Sequence, residues 1–424
     1  MMALRLISIC LLALALCRAE PSETGLISGN PAATNVEAGT GQLGEWIGLT
    51  PDTGLRIGGI FMSDINWLIT GGKEPGQTTW NFLFITGATA DLETLVDWPG
   101  AKLGAQFLLY KGADVNGQAG TVQGYNSLQS NNPLARAELY QFWYRQSLFE
   151  DVLTVRIGKS VPTIDFTNVL IPIPTEDGPF AVSSVSGLIY TPLFINPTTL
   201  GVMPGYYDSA WGVTLNLAPT NDLYVNWGIY DGSLASGFTT GDHAFPQFNG
   251  TYFMIAEIGG DWQLTNDGYL GRAGFGGWQQ TGQLGPAGGV TEDGTHGVYG
   301  FLSQTIWQSS HSAENDGSGI IGFFQWGIND SKTLPINGFL GAGVTAFNLV
   351  PGRPDDTFGL GAAYSWLNPN SFQRDHELML QTYYQAKVID NLYVQPVLTY
   401  INEPGANPRY SDAWAFSFRA TVLF

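Results

Sequence analysis

Charge, usable cysteine and long apolar runs are all scarce in this chain of 424 residues. Lys and Arg number 17 against 36 Asp and Glu, and charged residues make up only 12%, about half the usual globular share. The net charge is −19, and −21 once Arg5 and Arg18 are lost with a leader (−19 less two). A chain so poor in cations lacks the basic face that phosphate binding needs, which argues against nucleic acid as a partner. Cys10 and Cys17 are the only cysteines, and both precede the expected cleavage point, so the exported chain has no disulfide and no thiolate metal site. His243, His296, His311 and His376 show no metal-ligand spacing, and neither a Gly-x-Ser-x-Gly elbow nor a phosphate loop is present. Asp355 and Asp356 are adjacent, so in extended chain they point apart and make a poor acid/base couple for glycoside hydrolysis. The sequence therefore reads as a non-enzyme without metal or other cofactor.

Residues 1–19 read as a secretory signal. Arg5 supplies the positive start, Leu6 to Leu16 the apolar run, and Cys17 and Ala19 the small residues before cleavage. Leu16 is too bulky for the residue that usually precedes a lipidated cysteine. Beyond the leader no stretch of about 20 apolar residues occurs, which excludes membrane-spanning helices. Residues 20–45, rich in Gly, Thr, Asn and Pro, lack periodicity and read as a flexible or plug-like segment.

Yet 44% of the chain is hydrophobic and 13% aromatic. Those residues are spread along alternating positions. Trp414, Phe416, Phe418, Val422 and the terminal Phe424 share one parity, with Ala413, Ser417, Arg419 and Thr421 on the other. Leu55/Ile57/Phe61, Leu103/Ala105/Phe107/Leu109, Leu153/Val155/Ile157 and Trp211/Val213/Leu215/Leu217 repeat the pattern. In a strand, alternate side chains face opposite sides. The expected fold is therefore all-β: over 46–424, a transmembrane antiparallel β-barrel with lipid outside and a wet lumen inside. Long irregular stretches (116–133, 172–206, 232–249, 282–295 and 309–319) alternate with short turns, as in barrels with long extracellular loops and short periplasmic turns. Trp307, Trp326, Trp366, Tyr383 and Tyr384 are expected in interfacial girdles. Pro396 predicts a bulge or weakened pairing, since proline cannot donate to a ladder. An exported soluble β-protein is the competing reading, but its solvent-facing parity would normally carry Lys, Glu and Thr.

Seven segments, in this order, carry a family resemblance: DWPGAKLG at 97–104, LYQFWYRQ at 139–146 with VRIGK at 155–159, IYDG at 229–232, HGVYGFLSQTIW at 296–307, PGRPDDTFGLG at 351–361 and QPVLTYINEPG at 395–405. From about Trp46 to Phe424 the chain resembles carbohydrate-selective porins of the OprB-like family. The resemblance implies a barrel of about 16 strands in a bacterial outer membrane. It also implies passive diffusion of mono- and small oligosaccharides into the periplasm. The partners implied are those sugars, outer-membrane lipid and lipopolysaccharide, and the barrel-assembly machinery engaging the Phe424 strand. A homo-oligomer is left open. The strongly acidic balance departs from the family pattern, so a general or cation-preferring diffusion porin is the alternative. The sequence does not say whether the acids lie in the lumen or on the loops.

A pore that selects sugars must replace hydration hydrogen bonds weakly enough for release, and Arg beside a carboxylate offers donors and acceptors together. Parity selects Arg136, Glu138, Arg156, Glu257, Arg272 and Trp278 as the candidate constriction. Asp261, Gln263, Gln280, Glu377, Gln381, Gln385 and Arg419 are expected on the same inner surface. Arg353 with Asp355 and Asp356 is expected to pin a loop through an Arg–carboxylate pair.

Overall fold

The computed structural model describes residues 40–131, 134–170, 185–204, 208–220, 222–232, 250–265, 268–309 and 318–424. The expected leader, most of the segment 20–45, His243, His311 and the side chain of Gln263 lie outside the described residues.

One half of the wall is formed by β1 (Leu55–Thr70), β2 (Thr78–Asp91), β3 (Ala101–Lys111), β4 (Arg136–Leu148), β5 (Leu153–Ser160), β6 (Ala210–Thr220), β7 (Leu223–Asp231) and β8 (Tyr252–Thr265). The other half comprises β9 (Gly268–Ala287), β10 (Val290–Gln308), β11 (Gly319–Asn329), β12 (Ile336–Phe347), β13 (Thr357–Leu367), β14 (His376–Ile389), β15 (Leu392–Asn402) and β16 (Ala413–Leu423). Each pairs antiparallel with its sequence neighbour, and β1 pairs with β16 to close a barrel of sixteen strands. Closure leaves no unpaired edge, the condition for a sheet to sit in hydrocarbon.

Alternation decides which face is which. Ile65, Trp80, Phe107, Ile157, Phe275, Leu360 and Phe418 point outward and are exposed. Large apolar side chains thus ring the whole circumference. Each gains about 1.5–3 kcal/mol on leaving water, so the belt belongs in lipid. No helix among the described residues is long and apolar enough to cross a membrane. The terminal strand locks through its last residue. The Phe424 amide donates to Gly59 O at 2.9 Å, the Gly59 amide donates back to Phe424 O at 2.6 Å, and the Phe424 ring stacks on Phe84 at 5.8 Å. A Cβ at Gly59 would collide with that ring, so the close approach requires glycine.

Three expectations are corrected. Residues 282–295 are not an irregular loop: β9 and β10 run on through them to a turn at Gly288–Gly289, with register shifts between Val290 and Glu292 and between Asp293 and Thr295. Polar composition had suggested a loop, but a hairpin standing above the apolar belt pairs its backbone just as well. Tyr383 is not a girdle residue. It faces inward with Glu377 and Gln381, is 3% exposed, and its hydroxyl reaches Thr345 Oγ1 at 3.2 Å, whereas Trp307 and Trp366 do face out.

The third correction concerns the inner surface, which is not uniformly polar. Phe253, Ile255, Trp278, Tyr299, Phe301, Phe323, Phe339, Met379 and Val397 face inward and form a buried apolar cluster with Phe166, Val169, Leu188, Ile189, Tyr190 and Ile195. Those last six belong to the connection between β5 and β6. The described parts of the two longest connections, 112–135 and 161–209, fold into the barrel; most of their residues are buried. Both leave from the rim opposite the chain termini. At Pro396 the β14–β15 ladder skips Tyr384 and Gln385 without changing register, the local weakening that a missing donor produces.

Candidate functional site

The first infolded loop carries a short helix, α1 (Val115–Ala119), capped by Asp114 Oδ1 accepting from the Gly117 amide at 2.9 Å. Two buried acids hold this loop. Asp64 on β1 forms a two-bond pair with Arg419 on β16, Nε and Nη2 each at 2.8 Å, and also accepts from Asn126 Nδ2 at 2.8 Å. Glu377 on β14 accepts from the Val122 amide at 3.0 Å, the Gln123 amide at 3.2 Å, Thr121 Oγ1 and the Gly405 amide. Asn81 on β2 donates to Leu128 O at 2.7 Å and Ala113 O at 2.8 Å.

The second loop opens with α2 (Pro162–Asp165). Arg156 donates to Asp165. Burial pushes the Asp165 carboxyl up, with Arg156 and then Arg145 pulling it back. Glu257 accepts from the Thr167 amide, Tyr299 Oη and Tyr224 Oη, each at 2.8 Å. Arg272 donates to Asn168 O at 2.8 Å, with its guanidinium 5.0 Å from the Phe301 ring centroid. Trp278 stacks on Phe253 at 6.2 Å inside the apolar cluster. Further along, Gln381 Oε1 accepts from the Ile189 and Tyr190 amides at 2.6 and 3.2 Å. The loops bond to each other as well: Ser127 N to Ile189 O at 2.8 Å and Thr191 N to Gly124 O at 3.0 Å.

Between these loops and the β3–β4 wall lies a cavity of about 410 Å³, bordered by Tyr110, Asp114, Gln123, Arg136, Thr191 and Asp208 among others. That volume is in the range of small-molecule sites. Arg136 is its central cation. It donates to Asp208 Oδ1 at 2.8 Å, Leu134 O at 2.8 Å and Glu138 Oε1 at 3.3 Å, and lies 5.8 Å from the Tyr110 ring centroid. Burial raises the Asp208 carboxyl to about 6; Arg136 and Lys159 pull it down, and Glu138 pushes it up.

All six residues expected at the constriction thus lie on the inner side of the wall, in two groups. Arg136 borders the cavity with Glu138 bonded to it, while Arg156, Glu257, Arg272 and Trp278 contact the second loop or the cluster around it. Arg353 sits on the 348–356 connection at the rim of the termini. It meets both oxygens of Asp356 at 2.8 and 2.9 Å and donates to Lys387 O at 2.8 Å, and Asp355 pairs with Lys387 at 3.3 Å. Burial opposes ionisation of Asp356, but bonds from Arg353, Tyr384 and the Lys387 amide outweigh it and hold the carboxyl below its usual range. Asp208 and Asp165 escaped sequence reading because they sit in loops without periodicity. Asp64 was readable: it shares parity with Asn66 between the outward Ile65 and Trp67.

Five inward acids have a cation or a set of donors. Asp64, Asp165 and Asp208 meet Arg419, Arg156 and Arg136, while Glu257 and Glu377 are wrapped in donors. Further acids are exposed at the rims, as at Glu45, Asp97 and Glu150, and Asp390 there lies 3.6 Å from Lys387.

A closed sixteen-stranded barrel with an apolar outer belt and infolded loops is the architecture of a porin, a transport channel of the outer membrane and not an enzyme. The family of carbohydrate-selective porins, OprB family, matches residues 83–424. The chain belongs to that family. Porin B of Pseudomonas aeruginosa is 22% identical over 403 residues, covering 84% of both chains. The high-pH structure of Pseudomonas putida OprB superposes with a TM-score of 0.76 at 16% identity, covering 92% of this chain and all of that one. An anion-selective porin from Comamonas acidovorans gives 0.51 at 11% identity, covering 87% and 99%. These structural likenesses establish the fold.

Proposed function

We propose that this chain is a sugar-diffusion porin whose passage is narrowed by the two infolded loops and runs past Arg136. The observation that carries the reading is the cavity wall where Arg136 meets Asp208 and Glu138. It sets guanidinium donors and carboxylate acceptors beside the Tyr110 ring, the combination a sugar's hydroxyls and C–H faces require. Arg156, Glu257, Arg272 and Trp278 act by positioning the second loop, not by touching sugar. Arg353, Asp355 and Asp356 pin the 348–356 connection. Mono- and small oligosaccharides are the cargo. The apolar belt meets outer-membrane lipid and lipopolysaccharide, the Phe424 strand engages the assembly machinery, and the rim of the termini faces the periplasm. The pairing of Asp64, Asp165 and Asp208 with arginines favours this reading over a cation-preferring general porin.

Planar-bilayer recordings test it. Glucose should lower the ion conductance of the wild-type channel, and Arg136→Ala should weaken that block by about tenfold or more, the loss of hydrogen bonds to a charged group. Conductance indifferent to every sugar would favour the general porin.

A further inference from the structure

On the outer wall, β10 to β13 break the even relief of the apolar belt. Ala342 on β12 lies opposite Ala362 on β13. It is also diagonal to Gly322 on β11, whose own partner is Val344. Gly322, Ala342 and Ala362 share the outward parity of the exposed Phe324, Leu340 and Leu360. Their small side chains leave a hollow, and Leu302, Ile306, Phe324 and Leu360 stand around it as a raised, exposed edge. The groove so formed has a volume of about 510 Å³. Its floor crosses three strands and lies within five residues of their ends at the rim of the termini. Trp307, which faces out at the girdle on that side, follows Ile306, so the groove lies in the belt just inside the girdle. Gln304 is the one polar side chain among its described lining residues. Its Oε1 accepts from Trp262 Nε1 at 2.9 Å, and its Nε2 donates to the Tyr269, Thr305 and Leu270 carbonyls at 3.0, 3.1 and 3.2 Å. With that amide engaged, the groove offers nothing to water or to a sugar hydroxyl, and left empty it would forfeit the dispersion contacts of its lining.

We propose that this groove is an acyl-chain site that seats a single hydrocarbon tail of a phospholipid from the leaflet nearer the termini. The surface is continuous with the belt that meets lipid, so hydrocarbon is the solvent that reaches it. With the rim of the termini toward the periplasm, as in the reading above, that leaflet is phospholipid and not lipopolysaccharide. A second copy of the chain does not fit, because two-fold pairing of this patch sets hollow against hollow. Among lipids no hydrophobic gain separates one position from another, so the added van der Waals contacts of a recessed tail set the preference. The site lies outside the pore and goes beyond the sugar reading; it rests only on the orientation of the barrel.

The full-length protein in vesicles of phosphatidylethanolamine and phosphatidylglycerol provides the test, with a trace of phosphatidylethanolamine whose tail carries a photoreactive diazirine. After irradiation, adducts mapped by mass spectrometry should be about fivefold denser at Leu302, Ile306, Phe324 and Leu360 than at belt positions such as Ile65, Phe107 and Ile157, the scale of on the order of ten added contacts. Ala342→Leu/Ala362→Leu fills the floor and should bring the groove down to the belt average, with glucose block unchanged. Gly322 is left in place, because a Cβ there would lie 2.6 Å from Ile306 Cδ1. Even labelling around the wild-type belt would overturn the proposal, as would groove labelling that the double variant leaves intact. A wild-type dimer that the double variant turns into a monomer would assign the groove to a second chain, and protection by added lipopolysaccharide alone would assign it to that lipid; either result overturns the proposal. The wild-type map needs no variant to fold. Even labelling beside intact glucose block sinks this site alone, whereas channels that no sugar blocks sink the sugar reading and leave the site standing.

Discussion

Replacing Arg419 by Met probes what keeps the first loop inside the barrel. Arg419 and Asp64 are 1% and 0% exposed, and the carboxylate has two bonds from Arg419 and one from Asn126. Methionine fills similar space but leaves Asp64 buried with a single amide donor. Breaking one side of a buried pair costs about 3–5 kcal/mol. The sixteen-strand ladder is closed independently of this pair, so the cost falls mainly on the docked loop. At about 1.4 kcal/mol per decade, docking weakens by a hundredfold to several thousandfold. Glu377 and Asn81 still hold the loop elsewhere, so partial release is the expected result: a larger, noisier single-channel conductance and weaker glucose block. Asp64→Asn combined with Arg419→Met removes the stranded charge and should recover most of the wild-type conductance. If Arg419→Met is folded by heat-modifiable gel mobility yet shows wild-type conductance and sugar block, the pair does not hold the loop and the reasoning is wrong.

Three further outcomes follow from the same geometry. Asp208, raised to about 6 by burial, should be neutral at pH 5 and ionised at pH 7, so the ratio of cation to anion permeability in bilayers should fall as pH drops, with a midpoint near 6, and Asp208→Asn should flatten the profile. Because its folded value lies above the unfolded one of about 3.9, ionisation costs the folded state, and this part of the instability is relieved as pH falls through 6. Glu257→Leu leaves the Thr167 amide and two tyrosine hydroxyls without their acceptor, at about 1–3 kcal/mol per stranded group; cleavage of the 161–209 connection by an added protease should become measurably faster. Phe424→Ala loses the ring pair with Phe84, about 0.5–1.5 kcal/mol, and should lower the urea midpoint of the folded gel band, with Gly59→Leu lowering it further.

The barrel was legible because alternation is a local signal. Each strand from β1 to β16 announces its lipid face through residues such as Ile65, Phe107, Ile157 and Phe418, and no distant contact is needed to read it. Inward placement of Arg136, Glu138, Arg156, Glu257, Arg272 and Arg419 followed from the same parity. What those residues touch did not. Asp165, Thr167, Asn168 and Asp208 come from a connection with no period, and only the closed barrel brings them to the wall. The aromatic inner surface was obscured for a related reason. Tyr383 looks like a girdle residue in the sequence, and the partners of Phe253, Tyr299, Phe323 and Tyr383 in the inner cluster, Phe166, Ile189 and Tyr190, lie in that same connection. Hairpin extensions such as 282–295 were misread because composition reports solvent exposure, which a paired strand above the membrane shares with a loop.

Liposome swelling with a size series of neutral sugars tests the central claim most directly. If solute passes the docked loops and the cavity of about 410 Å³ beside Arg136, as proposed, uptake should be fast for monosaccharides and fall steeply for tri- and tetrasaccharides. Equal swelling rates across the series would mean that an open bore bypasses the Arg136 wall, contradicting the account.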